Sequence, residues 1–115
     1  MITIKQIGQT FVKATQLLHP NSVNVDAVGI RHDRDFAMLE ADDKFIASGE
    51  HGKFFPLKFE YDAKTDSLTL TLPDGQKITG PAAGSGAKIG VDHAGLRIIE
   101  MAEVEGPWRE ALSAY

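Results

Sequence analysis

Four polar residues in a row, His32-Asp33-Arg34-Asp35, stand directly before Phe36 and Met38, which are spaced two apart as on a strand. A basic residue in such a place can hold an anion. Arginine offers a planar fork that fits phosphate or carboxylate, and lysine adds a compact point charge. Lys13, at the end of "ITIKQIGQTFVK", is the second cation close to a strand end. Lys13 and Arg34 are therefore the candidate anion contacts. The same run also reads as a solvated turn, with Arg34 in an exposed ion pair to Asp33 or Asp35, a contact worth little.

Other chemistries find less to work with. His19, His32, His51 and His93 show no pairing at i+2 or i+4, and a metal centre needs three or four converging ligands. No metal site is expected. His19, before Pro20, and His93, in "VDHAG", read as loop and turn residues. The chain has no cysteine, which removes disulfides, thiolate nucleophiles and cysteine metal sites together. "GSGAKIG" lacks the Gly-Lys-Ser/Thr that opens a helix in a phosphate loop, and it reads as a flexible loop. No serine sits in a nucleophile elbow, so no catalytic residue is assigned. "EADD" is a solvated turn.

The elements that must carry Lys13 and Arg34 have period two, the strand period. Ile2 and Ile4 alternate with Thr3 and Lys5, and Val23 and Val25 with Ser22, Asn24 and Asp26. "FAML" turns over through "EADDK" into "FIAS". "PLKFEYDA" puts Leu57, Phe59 and Tyr61 on one face, and "SLTLTLPDG" does so with Leu68, Leu70 and Leu72. "AKTD" joins these two as a hairpin, and Pro73-Asp74-Gly75 turns the chain into "QKIT". The spacing predicts an antiparallel meander. "GPAAGSGAKIG" predicts a loop, with strands at about Lys88 to Val91 and Leu96 to Met101. In "GPWREALSAY", Gly106 and Pro107 start a helix, and Trp108, Ala111, Leu112 and Tyr115 form its apolar stripe. The stripe packs on the strands or awaits another domain. The fold class is mainly β, a small antiparallel barrel or curled sheet with a C-terminal helix.

At 115 residues the chain is one domain, with enough length to bury about 65% of its unfolded surface. Apolar residues at 43% and charged residues at 24% are ordinary globular values. A net charge of −4 argues against nucleic acid as partner. No apolar run nears the roughly 18 residues of a membrane span. "MITIKQIGQT" has no signal-peptide pattern. With no cysteine, a cytoplasmic location is expected. The stripe ends on Tyr115 with no capping residue after it, which predicts that residues 1–115 are one domain of a longer protein.

The stretch from Val12 to Leu57 resembles the N-terminal β-barrel domain of MOSC proteins. The matching elements are Val12-Lys13, Gly29-Ile30, Asp33-Arg34 with Phe36, the strand-turn-strand "AMLEADDKFI", and Glu50. "DSLTLTLPDGQKI" is similar to the next hairpin of that family and "GPWREALSAY" to its closing helix. The resemblance implies a partner, a C-terminal MOSC domain of the same chain, and a cofactor, the molybdenum cofactor (molybdopterin). It implies that the metal sits on a cysteine of that second domain, and that Lys13 and Arg34 help to hold the pterin phosphate. It implies a molybdenum-cofactor-dependent oxidoreductase or sulfur-transfer protein as the parent. Three departures run against tight anion binding: Ala14 replaces a serine, Ala47-Ser48-Gly49 lacks an arginine, and Asp35 adds a negative charge. They favour the alternative, a non-catalytic structural or protein-interaction barrel that has lost its cofactor contacts.

Overall fold

The computed structural model describes every residue except Ser48, Glu50 and Ala94, and for Gly86 and His93 it describes the backbone alone. Among the described residues seven strands and one helix follow in order: β1 (Val25–Asp26), β2 (Gly29–Ile30), β3 (Lys58–Asp62), β4 (Ser67–Thr71), β5 (Lys77–Pro81), β6 (Gly84–His93), β7 (Arg97–Val104) and α1 (Trp108–Ala114). A short 3-10 turn, Gly52–Phe54, precedes β3. No helix among the described residues is long and apolar enough to cross a membrane.

The meander forms as its pattern requires. β3 pairs antiparallel with β4 through Phe59–Leu70 and Tyr61–Leu68, and β4 pairs with β5 through Leu70–Ile78 and Leu68–Gly80. Side chains alternate across a strand, so one face collects Phe59, Leu68, Leu70 and Ile78 while Thr69 and Thr79 share a hydroxyl contact of 3.0 Å on the other. Gly75 sits at φ 90°, the left-handed conformation that the β4–β5 turn needs, and its N–H donates to Leu72 O at 2.9 Å. The buried face continues into Val12, Met38, Ile46, Phe54, Leu57 and Ala82.

The helix closes this core. Trp108 is buried, stacks at a tilt on Phe59 with ring centres 6.1 Å apart, and donates from Nε1 to Pro81 O at 2.9 Å. Ala111 and Leu112 pack on the same cluster. Tyr115 donates its hydroxyl to Lys53 O at 2.8 Å. Of the two fates foreseen for the apolar stripe, packing on the strands is the one observed.

Three expectations are corrected. The strands do not close into a barrel: among the described residues they form three separate antiparallel sheets, β1-β2, β3-β4-β5 and β6-β7. The strands expected at about Lys88 to Val91 and Leu96 to Met101 are present, but the glycine-rich stretch before them is not a loop throughout, since Gly84–Ala87 already lies in β6, which pairs with β7 across a register shift between Gly84 and Lys88. Its small residues allow a ladder to form that propensity alone does not favour. Residues 2 to 5 and 36 to 39, read as strands, form none. The first segment has no pairing partner, and the second is held only through isolated bridges, Val12–Phe36 and Leu39–Phe45.

The helix seat yields a prediction. A Cβ on Gly80 would lie 2.7 Å from Pro107 Cδ and 3.1 Å from Trp108 Cζ2, both ring atoms that cannot swing away. Gly80→Ala is expected to destabilise by about 1–3 kcal/mol. A thermal melt then moves down by several degrees, and tryptophan emission shifts red as the helix lifts. An unchanged melt and spectrum would contradict this packing.

Candidate functional site

Lys13 and Arg34 lie 21 residues apart in the chain, and the fold brings their backbones together. Arg34 N donates to Thr10 O at 2.6 Å, Phe36 N to Phe11 O at 3.0 Å, and Lys13 N to Phe36 O at 2.9 Å. Val12 and Phe36 form a parallel bridge at the centre of this crossing. Gln9 adds a side-chain bond, from Nε2 to Arg31 O at 2.9 Å.

Each strand of the crossing is shaped by its own polar groups. Gln9 and Leu18 exchange backbone hydrogen bonds at 2.9 and 2.6 Å and close a loop. Inside it, the hydroxyls of Thr10 and Thr15 lie 2.8 and 2.7 Å from Val12 O and 3.0 Å from each other. Both threonines are buried, so two hydroxyl protons serve three close contacts out of water. The knot bends the chain at Ala14, whose φ is 70°. It drives Val12 into the core, with Lys13 half-buried beside it.

The facing segment begins at the β1–β2 hairpin, where Val28 N donates to Asp26 Oδ1 at 2.9 Å. It then passes through His32 at φ 60° and Arg34 at φ 55°. Left-handed backbone is uncommon outside glycine, and Asn, Asp and His adopt it most readily. Among the described residues five that are not glycine have it: Ala14, His32, Arg34, Asp43 and Asp66. Ala14 and Arg34 are the two without such a tendency, and one adjoins Lys13 while the other is Arg34 itself. Strain of about 1–3 kcal/mol per residue persists only where the surroundings impose it.

Asp33 is the main source of that imposition. Its Oδ1 accepts the Thr10 N–H at 3.0 Å, while its Oδ2 receives the Arg34 guanidinium. The carboxylate thus bonds the opposite strand and holds the neighbouring cation together. Asp35 does not neutralise Arg34: its Oδ2 lies 2.8 Å from His32 Nδ1. The His32 ring lies on Tyr61, centre to centre 5.1 Å, and Phe11 and Phe36 flank the same ring at 5.9 and 5.7 Å. Tyr61, at the end of β3, is the hub that ties the crossing to the meander. Its hydroxyl donates to Asp66 Oδ1 at 2.9 Å, and this bond, with burial and the charges of Asp66, Asp35 and Asp62, raises its pKa above the ordinary tyrosine value.

The two cations have different occupations. Arg34 is 52% exposed and engaged by Asp33. The Lys13 ammonium stands 4.9 Å above the centre of the Phe45 ring, a cation–π contact. The hollow beside the turn, about 520 Å³, is lined by Asp26, Val28, Gly29, Ile30, Arg31, His32, Asp33 and Asp35. Neither Lys13 nor Arg34 lines it, and its three aspartates do not suit an anion. An anion reading therefore rests on the crossing and not on this hollow. His19 lies outside every element, with Nδ1 2.9 Å from Ile7 O. His51 pairs with Glu40, Nε2 to Oε1 at 2.9 Å, and Glu40 with Lys44 closes the "EADD" turn. Ser48 and Glu50 lie outside the described residues. Sequence reasoning treated Asp33 as part of a turn and overlooked Tyr61. The signal for both was present: an aspartate beside the key arginine, and aromatic residues at Phe11 and Phe36 on the two strands to be joined.

Two tests follow from this geometry. Asp33→Ala removes the acceptor of a half-buried N–H and frees Arg34, and is expected to cost about 1–3 kcal/mol, more than Asp33→Asn, which keeps one acceptor. Equal losses in denaturant titrations would contradict the double role. For Tyr61 the folded-state pKa lies above the unfolded one. Its contribution to stability is present below about pH 10 and is lost as pH rises through the raised value. In a Tyr115→Phe background, tyrosinate absorbance is expected to appear at lower pH in Asp66→Asn than with Asp66 intact. Compared with known proteins, the chain matches no family model, no curated protein and no solved structure.

Proposed function

We propose that this chain is a phosphate-holding β-domain, similar in role to the N-terminal domain of MOSC proteins, in which Lys13 and Arg34 contact the phosphate of a pterin cofactor. One observation carries the reading. The crossing brings the backbones of Lys13 and Arg34 together across 21 residues of chain, with left-handed backbone at Ala14 and Arg34.

The residues fit such a group in part. Arg34 is half exposed, and a phosphate oxygen competes with Asp33 for its fork. Asp33, fixed by Thr10, keeps the guanidinium at the mouth of the crossing. Lys13 rests on Phe45, and the ring face gives up an ammonium readily to a dianion. Ala14 supplies no hydroxyl where the family pattern has a serine. In this reading the isolated domain binds phosphate weakly, and a following domain completes the site. Molybdenum redox or sulfur-transfer chemistry belongs to the bound cofactor; this chain, without cysteine, does not ligate the metal in the family's manner.

A second reading is favoured by the Arg34–Asp33 pair and by Ala14: a structural or interaction domain whose cations serve only its own fold. Titration with phenyl phosphate, followed by NMR, separates the two. The first reading expects shifts centred on residues 10–14 and 32–36, with affinity falling about tenfold in Arg34→Ala, as loss of one charge-assisted bond of roughly 1.5 kcal/mol implies. Lys13→Ala weakens it further. Shifts elsewhere, or the same affinity in both variants, would overturn the phosphate reading and leave the structural one.

A further inference from the structure

Two features of the fold are each missing a partner. Residues 2 to 5 alternate as a half-buried strand does, Ile2 and Ile4 against Thr3 and Lys5, yet among the described residues the segment 1–8 belongs to no sheet. Ile2 is 99% and Ile4 80% exposed. The segment is tethered at its far end, through Ile7 O to His19 and through Gln9 to Leu18. The β6–β7 ribbon is a sheet of only two strands. Among the described residues, positions 84 to 104 make no backbone hydrogen bond outside it. Two-stranded ribbons are marginal in water, and the outer edge of β7 presents unpaired backbone groups.

The two features match in pattern. In the ribbon, Val91 faces Ile99 and Ile89 faces Met101, which makes one side apolar. The other side carries Gly90 opposite Glu100 and Lys88 opposite Ala102. A strand that lays Ile2 and Ile4 beside Ile99 and Met101 puts Thr3 and Lys5 on the side of Glu100, because side chains alternate. Charge agrees with this. Residues 1–8 carry Lys5 and no acid, whereas residues 97–105 carry Glu100, Glu103 and Glu105 against Arg97.

We propose that residues 1–7 of a second copy of this chain add as a third strand to the outer edge of β7. Because each copy offers both the strand and the edge, the exchange is reciprocal and closes as a twofold dimer. It buries both isoleucines and pairs the edge of β7 over Arg97–Ala102. This inference is independent of the phosphate reading.

Sedimentation equilibrium of the full chain over a wide concentration range tests it. The wild type is expected to pass from one chain to two. Ile2→Asp combined with Ile4→Asp is expected to weaken association more than tenfold with an unchanged thermal melt at low concentration, since these side chains lie in solvent in the single copy. Lys5→Glu and Glu100→Lys each weaken it by about twofold, as a diagonal cross-strand charge contact implies, and together restore it. A wild type that stays a single chain overturns the proposal. If its amides at residues 2–5 are then protected from hydrogen exchange, the segment docks on its own sheet. Association indifferent to the isoleucine changes overturns it as well.

Discussion

The carboxylate of Asp33 is the contact on which the rest of the candidate site depends. One oxygen takes the Thr10 N–H and the other takes Arg34, so a single side chain locks two remote segments and positions a cation. Backbone bonds alone would leave this crossing short: three main-chain contacts around one parallel bridge are no sheet. Side-chain bonds from Gln9 and Asp33 make up the difference. Buried polar groups of this kind are costly when unpaired and specific when paired. That is why the Thr10–Thr15–Val12 knot and the Asp33 cap can hold backbone angles that Ala14 and Arg34 would not choose.

The crossing is also the joint between two unlike halves. On one side lies the β3-β4-β5 meander, stabilised in the ordinary way by the apolar face of Phe59, Leu68 and Leu70. On the other lie residues 1–46, which contain little regular structure and pass Val12, Met38 and Ile46 into the same core. Tyr61 mediates between them with Phe11, His32 and Phe36 around its ring. Aromatic contacts are each worth about 0.5–1.5 kcal/mol beyond their buried area. Three rings about one hub therefore hold the turn at the meander's end without a continuous ladder.

How legible this was depends on range. The meander, its Pro73-Asp74-Gly75 turn and the helix at Trp108 were readable because period, turn chemistry and stripe are local signals. The start of β6 at Gly84–Ala87 was not, because its pairing with β7, from Gly84 to Val104, is not local and overrides a composition that reads as loop. Ile2 and Ile4 failed in the opposite sense: the pattern is that of a strand, and a strand without a neighbour is only an extended chain. Arg34 and Lys13 could be singled out by type and by resemblance. That they share one crossing could not, since the bonds that join them run between backbone atoms, which carry no signature in residue identity. Asp33 was visible only as a turn former, its cap on Thr10 being a contact across 23 residues.

The seat of Trp108 has a consequence for the order in which the protein takes shape during synthesis. Its indole reaches back 27 residues to Pro81, and Tyr115 reaches back 62 to Lys53. A growing chain forms the β3-β4-β5 hairpins locally and soon, and Val12, Met38 and Ile46 are already at hand, but the part of the Phe59 face that Trp108 covers stays open until residues 107 to 115 have been made. The helix is thus a lid delivered late, and the meander beneath it passes through an interval of exposed apolar surface. The polar face of that sheet, with Thr69 and Thr79 joined across the strands, limits the exposure to one side.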